Sequence, residues 1–484
     1  MSLIIPANSA SASGEFAVDN SCIFNEADSA YLEKTNSGSS STDIDKYTLS
    51  FWVKRGNLTE YGSLGYGGQI MGSTTAAYFQ LYFKPDDTLR WQEHNGSTSV
   101  GNLITNRVFR DVSAWYHIVA LYDSGNATSA DRMQIWINGV RETSFSTEAQ
   151  PAQDANGQFG TASQTRRIAN NNDGSRDFDG YIAEAVGLDG VCASPVDTLG
   201  EFDEDSGIWK PIGVSGLTFG THGFYLDFED SANLGNDANG GTDFTEVNLA
   251  ATDQATDSPT NNFATLNFLL PSQGGFTPAA VTFAEGNLKF TTANSSGSYS
   301  RANSTMLLSS GKWYVEIKYV NSGSIFGLVG ITGSNPTATS AYLGVYAYDY
   351  GWYGNAGFSG GDGNFYNNNT KVRELGAGFD TNDIIGMAID LDSGTKTIQY
   401  YRAGSAVGSA NAIADPSATD FGGYVVSVSE WASSTNATFE ANFGNPAFAI
   451  SSGNADGNGY GNFEYAVPSG FLAICTKNLS EALS

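Results

Sequence analysis

Cysteine is nearly absent: Cys22, Cys192 and Cys475 are the only three in 484 residues. An odd number at such wide spacing excludes a disulfide framework, and no zinc-type spacing exists. Histidine is equally scarce, with His94, His117 and His222 scattered along the chain. Neither His-x-Glu nor His-Glu-x-x-His occurs, so the common metallohydrolase patterns are missing. No Lys-bearing phosphate loop is present either. No segment approaches the roughly 18 apolar residues that would span a membrane, so membrane insertion is not expected. The start, MSLIIPANSASASGEF, has no basic region and no long apolar stretch. It does not read as a signal peptide, and the expectation is synthesis in the cytoplasm.

Positive charge is also short. The chain has 23 Lys and Arg against 51 Asp and Glu, a net charge of −28. Residues 1–250 carry 33 acidic and 14 basic side chains, and residues 251–484 carry 18 and 9. Both halves would repel a phosphate backbone, so no nucleic-acid partner is expected. The plain meaning of the acidity is solubility; the sharper one is cation binding by some carboxylates.

What is plentiful points to β-structure. There are 57 glycines, aromatics make up 13% of the chain, and charged residues only 15%. Such a composition suits short strands joined by tight turns, not long helices. From residue 17 to about 230, strand signals recur every 8–12 residues. Residues 47–53 (YTLSFWV), 78–83 (YFQLYF), 115–122 (WYHIVALY) and 133–137 (MQIWI) are examples. Asn138-Gly139 predicts a tight hairpin. Residues 231–280 are turn-rich and contain Pro259, which reads as a linker. Strand signals resume near 281, at 311–317 (GKWYVEI), 384–390 (IIGMAID) and 424–428 (YVVSV). The predicted fold is all-β: two antiparallel β-sandwich (jelly-roll) domains in tandem. The predicted division is an N-terminal arm over 1–16, a first sandwich over 17–230, the linker over 231–280 and a second sandwich over 281–484. The apolar start of the arm (Leu3, Ile4, Ile5, Pro6) could dock into a neighbouring subunit or fray.

The first half resembles the laminin-G-like, concanavalin A-like jelly-roll superfamily. The resemblance rests on residues 49–54 (LSFWVK), 113–119 (SAWYHIV), 133–139 (MQIWING) and 178–184 (FDGYIAE). Residues 108–111 (VFRD), 202–211 (FDEDSGIWKP), 223–228 (GFYLDF) and 257–263 (DSPTNNF) are similar to a group of laminin-G-like proteins of marine bacteriophages. The second half resembles a SPRY domain through 311–316 (GKWYVE), 327–331 (GLVGI), 383–392 (DIIGMAIDLD), 442–444 (NFG) and 467–471 (VPSGF). The usual hairpin of that family is replaced by Tyr401-Arg402-Ala403-Gly404. These resemblances imply loops that bind proteins or glycans, and no catalysis.

Concanavalin A-like folds include glycoside hydrolases with carboxylates alternating along one strand. The nearest run, Glu201-Phe202-Asp203-Glu204-Asp205-Ser206, lacks the final Glu and reads as a solvated acidic loop. His117, in an apolar strand, reads as a hydrogen-bonded core residue. The chain is therefore expected not to be an enzyme and to need no cofactor, with calcium as the candidate ion. Asn171, Asn172, Asp173, Asp177 and Asp179 form a polar run in which the three aspartates are the candidate calcium ligands; an ordinary Asn/Asp turn is the competing reading. For ligand binding, the candidates are Tyr348, Tyr350, Trp352, Tyr353, Phe365 and Tyr366, laced with Gly and Asn. Aromatic faces suit sugar C–H groups, and Asn and Asp suit hydroxyls. The competing reading is that several of these rings belong to the core, since Tyr346, Tyr348 and Tyr350 alternate.

The resemblance to the bacteriophage proteins implies a bacteriophage virion surface protein. The first expectation is a tail fibre or receptor-binding protein recognising a host cell-surface glycan or protein. A homo-oligomer is expected, held to other virion proteins through its N-terminal arm. Alternatives are a capsid decoration or head-fibre protein, and a virion-associated polysaccharide hydrolase.

Overall fold

The structure is a computed structural model, and it describes residues 16–58, 69–73, 77–171, 177–267, 281–292, 299–321, 327–335, 341–354, 363–376, 378–431 and 436–482. Side chains of 69–73 are not described. The chain divides into two compact units between Asn261 and Asn262. Both are antiparallel two-sheet sandwiches, as the strand alternation predicts.

In the first unit one sheet runs Val140–Arg141, Met133–Ile137, Tyr116–Asp123, Lys46–Arg55, Gly180–Asp189, Ser21–Phe24 and Gln254–Ala255, with Phe224–Leu226 paired to Gly180–Asp189. The other runs Phe145–Ala149, Ser99–Val108, Thr88–Asn95, Ala77–Phe83, Gln69–Ser73, Thr165–Ile168, Tyr31–Thr35 and Thr245–Val247. Alternating residues such as Leu49, Phe51, Val53, Phe79, Leu81 and Trp91 fill the space between them. The predicted hairpin is present: Ile137 pairs with Val140. Its two turn residues have positive φ, 49° at Asn138 and 73° at Gly139, the conformation that favours Asn-Gly. A Cβ at position 139 would lie 2.3 Å from the Trp209 ring, so glycine is also needed for close packing.

The linker expected over 231–280 is corrected for its first part. Residues 231–261 belong to the first unit, where Thr245–Val247 extends one sheet and Gln254–Ala255 the other. The polar residues that imitate a linker are spent on buried contacts. Asp237 accepts from the Tyr225 N–H at 3.0 Å and pairs with Lys34 at 3.2 Å. Asp257 pairs with Lys54 at 2.6 Å and accepts from the Trp115 indole at 2.9 Å. Residues 268–280, and the arm up to residue 15, lie outside the described residues.

The second unit starts earlier than predicted, because Phe263, Ala264 and Leu266 are already buried. One sheet runs Thr282–Ala284, Lys289–Thr291, Ala437–Asn442, Lys312–Asn321, Ile384–Asp390, Thr397–Arg402 and Ser405–Ala412, with Leu472–Ala473 added in parallel to Lys312–Asn321. The facing six-stranded sheet runs Tyr299–Asn303, Val425–Trp431, Gly327–Thr332, Asp349–Tyr353, Asn364–Asn367 and Thr370–Glu374. A short helix, Thr476–Ala482, closes the chain. Among the described residues, no helix is long and apolar enough to cross a membrane.

Two buried carboxyls in the first unit make its stability depend on pH. Burial pushes Glu93 up to about 8, although the Tyr47 hydroxyl and the Gln158 N–H donate to it. Burial likewise pushes Glu184 to about 8, beside the Tyr225 hydroxyl at 2.8 Å. A raised folded-state value means that each contributes fully below its ordinary value near 4.5 and loses that contribution as pH rises toward 8. The expected loss is up to about 1.4 kcal/mol per pH unit for each carboxyl in that window. Urea midpoints taken from pH 4.5 to 8.5 should fall across the wild-type series. Glu93→Gln and Glu184→Gln should each flatten the fall; equal slopes in all three proteins would refute the assignment.

Candidate functional site

The six-stranded sheet of the second unit sorts the predicted ligand residues by strand alternation. Along Asp349–Tyr353, Tyr350 and Trp352 point into the core, and Phe365 follows them on the next strand. Tyr348 packs against the edge of the same core. Trp352 is fully buried, against Phe379 and Tyr400 at centroid distances of 5.2 and 5.4 Å. The expected ligand surface is therefore corrected: Tyr348, Tyr350, Trp352 and Phe365 serve the core, because neighbours along a strand face opposite ways. Only Tyr353 and Tyr366 lie on the outer face.

There they join rings that sequence reading missed. Trp431, Tyr299, Tyr342, Tyr366 and Tyr353 form a continuous series, with successive centroids 4.9, 5.4, 5.7 and 6.3 Å apart. Tyr353 is buried and the other four are half-buried, around Leu328 and Leu343. Four strands and the segment 341–348 supply them, so no local run could reveal the cluster. The one signal was phase: Ser427, Ser429 and Trp431 occupy the outward positions of their strand, and a tryptophan among serines there needs a reason. Desolvation raises the Tyr299 hydroxyl to about 12 and pushes Tyr342 up, so both stay neutral. The Tyr342 hydroxyl donates to Asn369 Oδ1 at 2.8 Å. The patch offers flat apolar faces rimmed by neutral hydroxyls and an amide, which suits stacking and hydrogen bonding but supplies no nucleophile or acid.

The patch rests on a buried ion pair. Arg301 donates two hydrogen bonds to Asp349, both 3.1 Å long, and a third to Ser427 Oγ at 2.9 Å. Asp349 also accepts from Thr332 Oγ1 at 2.6 Å and from the Gly344 N–H at 3.3 Å. That last contact holds the covering segment 341–348, and with it Tyr342, flat on the sheet. Gly351 lies beneath: a Cβ there would sit 2.5 Å from the Leu343 carbonyl oxygen.

The places tested for chemistry yield structural explanations. His117 is buried, with Nε2 2.7 Å from Ser50 Oγ. The Trp209 indole N–H, which can only donate, points at Nδ1 from 2.9 Å. Nε2 therefore carries the proton and donates to Ser50, the reverse of what a general base requires. Burial holds His117 down to about 3, and the ring stacks on Trp52 at 4.6 Å. It is the hydrogen-bonded core residue that its strand predicts. The acidic run is a hairpin, Glu201–Phe202 pairing with Trp209–Lys210. Asp203 Oδ1 accepts from the Ser206 N–H and hydroxyl, both at 2.8 Å, while Lys210 pairs with both Glu201 and Asp203. Residues 357–361 (GFSGG) have the spacing of a nucleophile elbow but lie outside the described residues.

Of the proposed calcium ligands, Asp173 lies outside the described residues. Asp177 accepts from Ser29 Oγ at 3.0 Å and from Asn170 Nδ2. The Asp179 carbonyl accepts from the Gly56 N–H at 2.9 Å. Among the described residues, no group of three or more His, Cys, Asp or Glu side chains is placed to hold a metal. Ser29 lies in the turn before strand Tyr31–Thr35, and Gly56 follows strand Lys46–Arg55.

Comparison with known proteins gives one family match and several partial structural similarities. The family described as the concanavalin A-like lectin/glucanases superfamily matches residues 26–188. No curated protein matches the chain. Among solved structures, a human SPRY domain is similar at 19% identity, covering 32% of this chain and 91% of that one, with a TM-score of 0.26. A heptameric SAP-like pentraxin from Limulus polyphemus is similar at 14% identity, covering 37% and 79%, with a TM-score of 0.28. A putative carbohydrate binding protein from Bacteroides ovatus is similar at 17% identity, covering 48% and 58%, with a TM-score of 0.32. Residues 26–188 are thus similar to the concanavalin A-like family, within a chain that is nearly all-β in both of its units.

Proposed function

We propose that this chain is a non-enzymatic glycan-binding protein whose second unit stacks sugar rings on the patch formed by Trp431, Tyr299, Tyr342, Tyr366 and Tyr353. The observation that carries this reading is the continuity of five aromatic rings on the outer face of the six-stranded sheet. A hydrolase would need an acid and a base or nucleophile placed together, and the patch contains neither. We extend the proposal to the setting: attachment of a bacteriophage particle to its host, as the resemblance at 202–211 and 257–263 implies. Weak contacts repeated over many copies would then give firm adhesion.

Glycan-array binding of the full chain tests the reading. Trp431→Ala and Tyr299→Ala should each lower affinity for the recognised glycan by about tenfold, consistent with aromatic contacts worth roughly 1 kcal/mol or more. Trp352→Ala should act by unfolding the unit instead. Wild-type affinity in both patch variants, with their thermal midpoints intact, would reject the patch as the binding site.

A further inference from the structure

The interior of the first unit holds a charged cluster that its own hydrogen bonds leave incomplete. Arg166 lies on strand Thr165–Ile168, and alternation turns it, with Ile168, into the space between the sheets. Arg166 is at 0% exposure, Asp189 at 4% and Asn36 at 3%. The guanidinium lies over the Phe159 ring at 4.6 Å, and its Nη1 donates to the His222 carbonyl at 2.7 Å. Asp189 Oδ2 accepts from the His222 N–H at 3.0 Å and from the Ser41 hydroxyl. The Asn36 amide donates to the Phe159 and Thr161 carbonyls at 3.0 and 2.8 Å. Between those two carbonyls is Gly160, where a Cβ would sit 2.5 Å from Asp189 Oδ1. Side chains from three separate segments thus converge on residues 159–161 and 222.

Each of the three has polar atoms, sealed from solvent, that meet no donor or acceptor among the described residues. They are Nε and Nη2 of Arg166, Oδ1 of Asp189 and Oδ1 of Asn36. Burial pulls Arg166 down to about 10, while Asp189 and Asp237 support its charge, so the guanidinium is ionised at neutral pH. A charged donor pair and two oxygens withdrawn from solvent each need a partner in exchange for the water they lose. Whatever completes the set must accept two hydrogen bonds and donate two. A halide or carboxylate would accept from Arg166 but would face two oxygens with nothing to donate. A metal ion or an ammonium would suit the oxygens and be repelled by the guanidinium. Water does both, and an internal water makes up to about four bonds.

We propose that an ordered water molecule is sealed between Arg166, Asp189 and Asn36, accepting from Nε–H and Nη2–H and donating to the two Oδ1 atoms. It serves as an internal cross-link. It joins strand Thr165–Ile168 to the end of Gly180–Asp189 and to the segment that follows Tyr31–Thr35. No residue of the aromatic patch in the second unit takes part, so this proposal and the glycan-binding reading stand or fall separately.

A crystal structure of the full chain, grown with bromide and at a resolution that shows ordered water, is the direct test. The expected result is a single peak within hydrogen-bond distance of the four atoms, without a bromine anomalous signal. Bromide at that position, a direct Arg166–Asp189 ion pair that closes the space, or a space without density would each overturn the proposal. In solution, magnetic relaxation dispersion of water counts long-lived internal molecules. Arg166→Met removes both donors and should lower the count by one. An unchanged count in a folded Arg166→Met protein would also overturn the proposal; if that variant unfolds, the wild-type crystal decides.

Discussion

Asp349→Ala is expected to destabilise the second unit by about 3–5 kcal/mol, the usual cost of leaving one partner of a buried ion pair alone. Arg301 and Asp349 are both almost completely buried, at 2% and 0% side-chain exposure, so water cannot replace the lost carboxylate. A loss of that size should lower the thermal midpoint by roughly 10 °C for a unit of this length. The change should also reach function. Asp349 accepts from the Gly344 N–H and anchors the segment that carries Tyr342, so glycan binding should fall at temperatures where the unit is still folded. Calorimetry and binding on the same samples check both parts. Asp349→Leu combined with Arg301→Met should recover much of the stability, since a buried pair replaced by apolar groups of similar volume is often neutral. Recovery of stability without recovery of binding would separate the pair's anchoring of segment 341–348 from its effect on folding. A double variant as unstable as Asp349→Ala would mean that shape, not charge, is what the site requires.

The second large effect is expected at Asp257, in a stretch that composition marks as a linker. A linker residue could be changed freely. In the structure Lys54 and Asp257 are at 1% and 0% exposure, and the second carboxylate oxygen holds Trp115. Asp257→Ala should therefore destabilise the first unit by about 3–5 kcal/mol. Its backbone contributes too, since the Asp257 carbonyl accepts from Ser21 Oγ at 2.6 Å. The same clasp includes the Thr260 hydroxyl, which donates to the Val18 carbonyl at 2.9 Å. Strand Ser21–Phe24 and the 254–261 segment should loosen together, visible as faster amide exchange in both. A wild-type melting curve for Asp257→Ala would restore the linker reading.

Several features were legible in the chain itself. Two-residue alternation in segments such as 47–53, 78–83 and 384–390 specified strands and their buried faces. Asn138-Gly139 specified a hairpin, because few residues accept positive φ at both turn positions. The environment of His117 followed from the apolar strand around it. Local chemistry decides these properties, and local chemistry is what a linear reading contains. The proposed binding surface was legible only in part. Tyr353 and Tyr366 were within the predicted aromatic run, but so were Tyr350, Trp352 and Phe365, and composition cannot tell which side of a sheet a ring will take.

The amino-acid sequence by itself determined the class of this protein: all-β, acidic, disulfide-poor, and divided into two sandwiches. Tertiary structure alone decided what its polar and aromatic residues do. Trp431 meets Tyr299 because strands far apart in the chain are neighbours in the six-stranded sheet, and Arg301 meets Asp349 across the two strands between theirs. Asp257 reads as solvent-exposed until Lys54 and Trp115 are brought over it. The physical reason is common to all three: periodicity fixes which face of a strand a side chain occupies, whereas its partners are set by strand order and register.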